Sequence, residues 1–219
     1  MGNLDTKSLE ALPAVLPADP MPLVASWFKA ACDAVVQPNP DAMVVATATP
    51  DGRPSARVVL LRHLIADPGY VVFFTNYRGR KGRELSSNPR AAAVLYWDTL
   101  GRQVRLEGPV LPSPAAESDA YFATRGLDSR IGAWASLQSQ PLDSRRTLLE
   151  RAAEVQARFA VDVPRPPHWG GYRLWPEAVE LWVEGEHRMH DRARWERSLA
   201  PGDGTSFRAG AWHGTRLYP

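Results

Sequence analysis

The sequence is poor in three features that would narrow its class: cysteine, long apolar runs and net charge. Cys32 is the single cysteine, so no disulfide can form within the chain. This agrees with a reducing compartment, and we expect a cytoplasmic protein. The longest apolar run, 91–97, has the length of a strand and falls far short of the ~18 residues of a membrane span. A net charge of +2 is too small to indicate a nucleic-acid partner, and we expect neither nucleic acid nor membrane as a partner.

Signature motifs of several enzyme classes are also missing. The sequence has no Gly-x-Ser-x-Gly, which leaves a serine hydrolase of that type without support. No Gly-x-Gly-x-x-Gly follows a predicted strand, which disfavours a Rossmann nicotinamide site. His187 and His190 have acidic neighbours, but on a strand they would face opposite sides, and no third cluster of ligands occurs. We therefore expect no metal.

The composition itself is that of an ordinary globular protein, with 44% apolar and 23% charged residues in 219. That length allows one large domain or two small ones with a sizeable core. Residues 1–20 contain several prolines and little periodicity, and we interpret them as an irregular N-terminal arm. No repeat or linker interrupts the remainder, so we predict a single domain over 21–219.

The hydrophobic pattern predicts an α+β fold. Leu23, Trp27, Ala31 and Val35 recur at helical spacing, so 21–36 is predicted to be an amphipathic helix that begins after Pro20. Further helices are predicted at 114–125, 128–135 and 144–159. Strands are predicted at 43–49, 55–63, 70–76, 91–97, 103–110, 171–175, 178–184, 190–197 and 210–217, with a hairpin tip at 202–204. Short connections rich in glycine and proline favour antiparallel pairing, hence a barrel-like sheet with surrounding helices.

The most basic segment is 78–83, between a predicted strand and a short helix. Gly79 and Gly82 allow a ligand close to the backbone, and Arg80 and Lys81 add positive charge where a helix begins. The segment is not a P-loop, because it lacks the Gly-Lys-Ser/Thr ending. A phosphate cradle and a solvated basic loop explain these residues equally well.

Two further sets of residues are candidate anion sites. Arg57 and Arg62 flank an apolar strand that we expect to be buried on both faces. Their charged groups either reach solvent or bind an anion. Tyr121, Arg125 and Ser129 are spaced four apart, so a continuous helix would place three donors on one face, although Gly126 weakens that helix. Taken alone, each set is explained at least as well by a solvated surface.

Arg188, His190 and Arg192 form the most unusual local pattern. Residues spaced two apart on a strand point the same way, so three cationic side chains would converge. They would repel one another unless an anionic or electron-rich ligand lay between them. The pattern therefore favours a functional site over a solvated edge strand.

Taken together, the chain closely resembles the pyridoxine/pyridoxamine 5′-phosphate oxidase family, which has the FMN-binding split-barrel fold. The resemblance runs from Leu16 to the C-terminal Pro219. Its strongest blocks are Ala-Met-Val-Val-Ala-Thr at 42–47, Arg-Val-Val-Leu-Leu at 57–61, Ile-Gly-Ala-Trp at 131–134 and Gly-Glu-His-Arg-Met-His-Asp-Arg at 185–192. Several blocks in register over most of a chain are far more specific than any single motif.

The resemblance implies a set of site residues. Those matching the family's contacts with FMN are Arg57, Val58, Val59, Leu60, Leu61, Arg62, Phe74, Thr75, Arg80, Lys81, Gln103, Gln138, Ser139, Trp182 and Arg192, some of them supplied by a second subunit. Those matching contacts with the substrate are Arg62, Tyr121, Arg125, Ser129, Arg188 and His190. Arg188 and His190 match the pair near the reacting carbon, and they are the predicted catalytic residues.

The implied function is oxidation of pyridoxamine or pyridoxine 5′-phosphate to pyridoxal 5′-phosphate by an FMN-dependent homodimer. A hydride would leave C4′ for the flavin N5, and O₂ would be reduced to hydrogen peroxide. Two phosphorylated ligands require two anion sites, and arginine forks suit phosphate oxygens. The flavin carries the redox chemistry, while the protein positions it.

Two departures from the family pattern stand out. Arg62 replaces the usual lysine that reaches the substrate, and residues 1–20 lack the arginine and tyrosine that many relatives carry in an arm over the substrate. Three alternatives remain open: a flavin oxidase of the same fold with another substrate, such as in phenazine biosynthesis; a non-catalytic carrier of flavin or pyridoxal phosphate; and a nucleic-acid binder that uses the 78–83 loop.

Overall fold

The computed structural model describes residues 12–34, 37–159 and 162–219. Its helices are α1 (Met21–Asp33), α2 (Arg80–Ser87), α3 (Ala115–Ala123), α4 (Leu127–Ala135) and α5 (Arg145–Phe159). Its strands are β1 (Ala42–Ala48), β2 (Pro54–Leu60), β3 (His63–Ile65), β4 (Tyr70–Asn76), β5 (Arg90–Trp97), β6 (Arg102–Pro112), β7 (Trp169–Leu174), β8 (Ala178–Val183), β9 (Asp191–Glu196), β10 (Leu199–Pro201), β11 (Phe207–Ala209) and β12 (His213–Leu217). Within these residues no helix is both long and apolar enough to cross a membrane.

The predicted elements are confirmed in type, with ends shifted by a few residues. Helix α1 buries Trp27 and Ala31 of the predicted stripe, together with Met21 and Val24, while Leu23 is half-buried; the helix ends at Asp33 rather than at 36. The last two predicted positions, 35–36, lie outside the described residues. The tip at 202–204 joins β10 and β11, which pair antiparallel. The sequence missed these two strands and β3, because three residues are too few to show a periodicity.

Strand β6 holds the sheet together. One branch runs from β6 through β5 and β1 to β2, a second through β8 and β9 to β12, and a third through β7 and β4 to β3. All recorded pairings are antiparallel, as the short connections predicted. Gly108 lies where β6 passes from β8 to β7, and a Cβ there would come within 2.0 Å of the Trp175 carbonyl oxygen. Only glycine lets the strand pass so close to this backbone.

The prediction that 55–63 is buried on both faces is wrong. Strand β2 lies at an end of the sheet order, and in the described structure it pairs with β1. Its residues alternate between exposed and half-buried along most of its length, and the Val58 side chain is 62% exposed. An apolar run alone does not reveal whether a strand is central or at an edge, since that depends on pairing with distant strands.

The core lies inside the curled sheet and under α1. Its largest fully buried side chains include Trp97, Trp195, Phe73 and Met43, which come from β5, β9, β4 and β1. A smaller cluster of Phe122, Ala133 and Trp169 lies beneath α3 and α4. The candidate site lies between β2 and β4.

Candidate functional site

An open cleft of about 1000 Å³ lies between β2 and β4, bordered by α2, α3 and α4. It gathers segments that are far apart in sequence. The predicted site residues that line it are Arg57, Val58, Val59, Leu60, Arg62, Phe74, Thr75, Arg80, Lys81, Tyr121, Arg125, Ser129, Gln138 and Ser139. Leu61 instead points into the core and is 2% exposed. Three of the candidate sets from the sequence therefore share one cleft.

The basic end of the cleft is built on the N-terminus of α2. Gly79 precedes the helix with no side-chain cap, and the Arg80 backbone N–H donates to Ser139 Oγ at 3.1 Å. Lys81 Nζ donates to Gln138 Oε1 at 2.6 Å, and a Cβ at Gly79 would lie 2.4 Å from that same oxygen. The glycine thus admits Gln138 against the helix start, where backbone N–H groups and the helix dipole favour an anion.

Positive charge is concentrated at this end. Lys81 is buried next to Arg57, and burial followed by the repulsion from Arg57 lowers the pKa of Lys81 to about 8. Glu84, one turn further along α2, is 4% exposed at its side chain and accepts from Arg80 Nε at 2.9 Å. Burial would raise the pKa of Glu84, but hydrogen bonds from Ser55, Thr47 and Arg80 outweigh burial and hold it at about 2. The cluster remains net positive, as a phosphate site requires.

Aromatic rings form a wall of the cleft. The Phe74, Tyr121 and Trp169 rings lie nearly parallel, with the Phe74 centroid 3.9 Å from that of Tyr121 and 5.6 Å from that of Trp169, and with 6.2 Å between Tyr121 and Trp169. The Arg125 guanidinium lies 4.7 Å from the centre of the Trp169 ring. Arg125 Nη1 is buried without a hydrogen-bond partner, and burial lowers the pKa of this guanidinium. A buried, unpaired cationic donor indicates a place for an anionic ligand.

The continuous helix considered for Tyr121, Arg125 and Ser129 does not form. Helix α3 ends at Ala123 and α4 begins at Leu127, with Gly126 at ψ 150° between them. The three side chains nevertheless line the same cleft from either side of this break. The glycine that weakened the helix prediction is the position of the break.

Arg62 lies at the other margin of the aromatic wall. Its Nη1 donates to Asp41 Oδ2 at 2.9 Å, and its Cζ is 5.9 Å from the centre of the Tyr121 ring. The Leu61 N–H donates to the Asp41 carbonyl oxygen at 2.8 Å, so Asp41 contacts this segment through both backbone and side chain. The charge of Arg62 also contributes to lowering the pKa of Arg125.

The remaining predicted residues form a second group outside this cleft. Gln103, Trp182 and Arg192 lie side by side on β6, β8 and β9, since Gln103 pairs with Trp182 and Trp182 with Arg192. The His190 ring packs 4.6 Å from the Trp182 ring, and its Nδ1 accepts the Gly185 N–H at 3.2 Å. Arg192 donates to Glu180 through Nε and Nη2, at 3.2 and 2.8 Å.

The strand spacing considered for Arg188, His190 and Arg192 does not hold. Glu186–Arg188 is a 3-10 turn, and β9 begins only at Asp191. His187 and Arg188 take left-handed backbone angles, with φ of 52° and 64°. Strand spacing therefore does not apply to Arg188, and His190 lies at the exit of the turn. The period-two pattern is confined to a few residues, so it could not distinguish a strand from a turn.

Sequence reasoning missed two residues of this region, Glu84 and Trp169. Glu84 follows Arg80 by four positions on a predicted helix, a spacing that signals a contact. Trp169 carried no such signal, because its neighbours in the wall come from β4 and α3. Among the described residues, no group of three or more His, Cys, Asp or Glu side chains could hold a metal ion.

Solved structures with the same arrangement define the class of fold. PhzG from Burkholderia lata 383, in complex with tetrahydrophenazine-1-carboxylic acid, aligns with a TM-score of 0.82 and 34% identity over 95% of this chain and 100% of that one. A pyridoxamine 5′-phosphate oxidase-related, FMN binding protein from Nostoc punctiforme aligns with a TM-score of 0.66 over 91% of this chain and 97% of that one. At 16% identity the second structure shows the fold alone. The protein is an α+β protein of the FMN-binding split-barrel class.

Sequence comparisons define the family within that class. A family model described as pyridoxamine 5′-phosphate oxidase matches 28–159, and one described as the pyridoxine 5′-phosphate oxidase C-terminal dimerisation region matches 169–219. Proteins named pyridoxine/pyridoxamine 5′-phosphate oxidase are 51% identical in Sphingopyxis alaskensis (88% of this chain, 90% of that protein) and 50% identical in Rhodospirillum rubrum (92% and 96%). One from Paraburkholderia phytofirmans is 46% identical over all of this chain and 94% of its own length. The chain belongs to the pyridoxine/pyridoxamine 5′-phosphate oxidase family, as the resemblance predicted.

Proposed function

We propose that this protein is an FMN-dependent oxidase that converts pyridoxamine 5′-phosphate and pyridoxine 5′-phosphate to pyridoxal 5′-phosphate, with O₂ reduced to hydrogen peroxide. One observation carries the proposal: a single cleft holds two sets of anion-binding side chains. Arg57, Arg80 and Lys81 form the first, while Tyr121 and Arg125 belong to the second. Two phosphorylated molecules, a cofactor and a substrate, need such an arrangement. The single cysteine and the class of reaction support a cytoplasmic location.

The residues present fit FMN. The positively charged start of α2, with Arg57 and Lys81, would hold the phosphate, and the exposed margin of β2 would carry backbone contacts to the ring system. Gln138 and Ser139 would close the phosphate end from the loop after α4. When bound, FMN supplies the redox chemistry, taking a hydride from the substrate and passing electrons to O₂.

The second set of side chains would hold the substrate by its phosphate. Arg125 offers a buried donor with no partner in the described structure, and Tyr121 and Ser129 add hydroxyl groups on the same side. Arg62 contributes a further positive charge from the opposite margin. Binding the phosphate at one end would orient the pyridine ring within the cleft, and the aromatic wall would exclude water.

We propose that the second group of residues completes the site from the partner subunit of a homodimer. Arg188 and His190 do not line the cleft of their own chain, although the family pattern assigns them to the reacting carbon. They lie within the region matched by the dimerisation model. Val44 and Val58, paired across β1 and β2, are 40% and 62% exposed, and such an apolar surface supports an interface. In the dimer, His190 and Arg188 would orient the ring and balance charge near C4′.

A flavin oxidase with another substrate is the second candidate. The PhzG structure supports it, since that protein is 34% identical and was solved with tetrahydrophenazine-1-carboxylic acid. The ligand of that structure carries a carboxylic acid and no phosphate. The unpaired Arg125 donor beside Tyr121 and Ser129 favours a phosphorylated substrate for this chain.

Visible spectra of the FMN-loaded protein before and after anaerobic addition of pyridoxamine 5′-phosphate test the proposal. We expect the flavin bands to bleach and to recover when air is admitted, with hydrogen peroxide and pyridoxal 5′-phosphate formed. Flavin that binds but does not bleach, with either phosphorylated substrate, would exclude the proposed substrates and favour the second candidate. A protein that binds no FMN would overturn both, and one that binds it but turns over no oxidisable substrate would be a carrier.

A further inference from the structure

Glu84 is the acidic residue that joins the cations of the basic end. Its side chain is 4% exposed and lies behind the cleft rather than in its lining. Oε1 accepts from Arg80 Nε at 2.9 Å, while Oε2 accepts from Ser55 Oγ at 2.6 Å, from Thr47 Oγ1 and from Arg57 Nη2 at 3.4 Å. One carboxylate thus receives donors from β1, β2 and α2.

The consequence is a fixed direction for two arginines. Arg57 is held on its other side as well, since its Nη1 donates to Thr47 Oγ1 at 2.6 Å and to the Val45 carbonyl oxygen at 3.2 Å. Arg80 has a half-exposed side chain, and Glu84 is the acidic group that restrains it. Without the carboxylate, Arg80 would sample many rotamers, and ordering its long side chain on binding would cost rotamer entropy.

The charges also balance. Arg57, Arg80 and Lys81 carry three positive charges, and Glu84 carries one negative charge. The remaining two match a phosphate monoester, which carries about −1.5 to −2 at neutral pH. A cluster of three uncompensated cations would be costly to assemble without a ligand.

We propose that Glu84 is a positioning residue for the cofactor's phosphate: it does not touch the cofactor, but it orients Arg57 and Arg80 towards the phosphate before binding. The inference rests on the proposed FMN cofactor and deepens it, because it assigns selectivity for the phosphorylated flavin to a buried carboxylate. A purely structural role, tying α2 to β1 and β2, would instead affect the whole site equally.

The test compares two flavins that differ by the phosphate. Affinities of the apoprotein for FMN and for riboflavin are measured by flavin fluorescence for the unaltered chain, Glu84→Ala and Glu84→Gln. We expect Glu84→Ala to weaken FMN binding about tenfold or more, the value of roughly one charge-assisted hydrogen bond. Riboflavin affinity should stay within about twofold of that of the unaltered chain, because riboflavin has no phosphate for Arg57 and Arg80 to contact. Glu84→Gln keeps one acceptor oxygen and should show a smaller loss of the same selectivity.

A matched control separates positioning from general damage. Glu117 is a half-buried acid that accepts from Arg173 Nε at 3.0 Å and does not line the cleft, and Glu117→Ala should change neither affinity. Thermal unfolding of each apoprotein shows whether it folds; if Glu84→Ala does not, Glu84→Gln decides. Equal losses for FMN and riboflavin, or no loss for FMN, would overturn the inference. Failure of the unaltered chain to bind FMN would overturn the proposed function instead.

Discussion

Asp41 and Arg62 form a charged pair at the margin of the cleft, with 2.9 Å between Oδ2 and Nη1. Both side chains are more than half buried, and the pair places the Arg62 guanidinium over the ring of Tyr121. The family resemblance predicts a lysine at this position, where this chain has Arg62. Lysine presents one ammonium group, whereas arginine can engage Asp41 and still offer a second nitrogen to a ligand.

Asp41→Asn should raise the KM for pyridoxamine 5′-phosphate about two- to fivefold while kcat changes less. The reason is that an ion pair of this exposure contributes up to about 1 kcal/mol to holding Arg62 in place. FMN affinity should change less than the KM, since the pair lies away from the start of α2, where the cofactor's phosphate is proposed to bind. Steady-state kinetics at saturating FMN measure the effect. Asp51→Asn is the control, because Asp51 forms an exposed pair with Arg53 at the same 2.9 Å. A KM equal to that of the control would show that Arg62 needs no orientation.

Lys81 should make FMN binding depend on pH. Burial and Arg57 lower the pKa of Lys81 from 10.5 to about 8, so the apoprotein loses this proton as the pH rises through 8. A bound phosphate favours the charged form. FMN affinity should therefore be level from pH 7 to about 8 and fall above that, by up to about tenfold per pH unit. Riboflavin affinity should show no such fall.

Lys81→Arg is the matched variant for this profile. Arginine remains charged throughout the range, so the pH dependence between 8 and 9.5 should flatten. The unfolded chain keeps the Lys81 proton up to its ordinary pKa, so Lys81 itself makes the apoprotein more stable as the pH rises from about 8 towards 10.5. An FMN profile that is the same in both proteins would place the titration elsewhere.

Arg125→Met should separate stability from function. The variant removes a buried donor with no partner and keeps apolar contact with Trp169, so the free protein should be as stable or more stable in thermal unfolding. The KM for the phosphorylated substrate should rise at least tenfold, about the loss of one hydrogen bond to a charged group. Arg158→Met is the control, since Arg158 stacks on Phe159 at the same 4.7 Å without lining the cleft. A destabilised Arg125→Met with normal KM would contradict an anion site there.

The turn before β9 allows a prediction about two backbone positions, His187 and Gly185. His187 has φ of 52°, a region that costs a non-glycine residue about 1–2 kcal/mol, so His187→Gly should keep activity and match or exceed the original stability. Gly185→Ala should instead lower kcat, because its Cβ would meet the Met189 carbonyl oxygen at 2.0 Å and displace His190. Activity and unfolding of the two variants are compared side by side. Loss of activity in His187→Gly would assign a role to the imidazole itself.

Local pattern was enough to predict the helices and most strands, because burial of one face leaves a periodicity in neighbouring residues. Helix α1 and strand β4 follow from their own sequences, and Gly126 marked the break between α3 and α4. The family, and with it the list of candidate site residues, also came from the sequence, since several blocks keep their order and spacing along the chain.

The tertiary structure decided what depends on distant partners. It showed β2 at an edge, since an apolar run does not reveal how many strands flank it. It placed Arg188 in a turn before β9, with left-handed backbone angles that a pattern of residue types does not reveal. It also brought Glu84 to Arg57 and Arg125 to Trp169, contacts between elements tens of residues apart. The sequence by itself determined the family and the candidate site residues. The tertiary structure determined which of those residues share one cleft, because the contacts that bring them together join segments far apart in the chain.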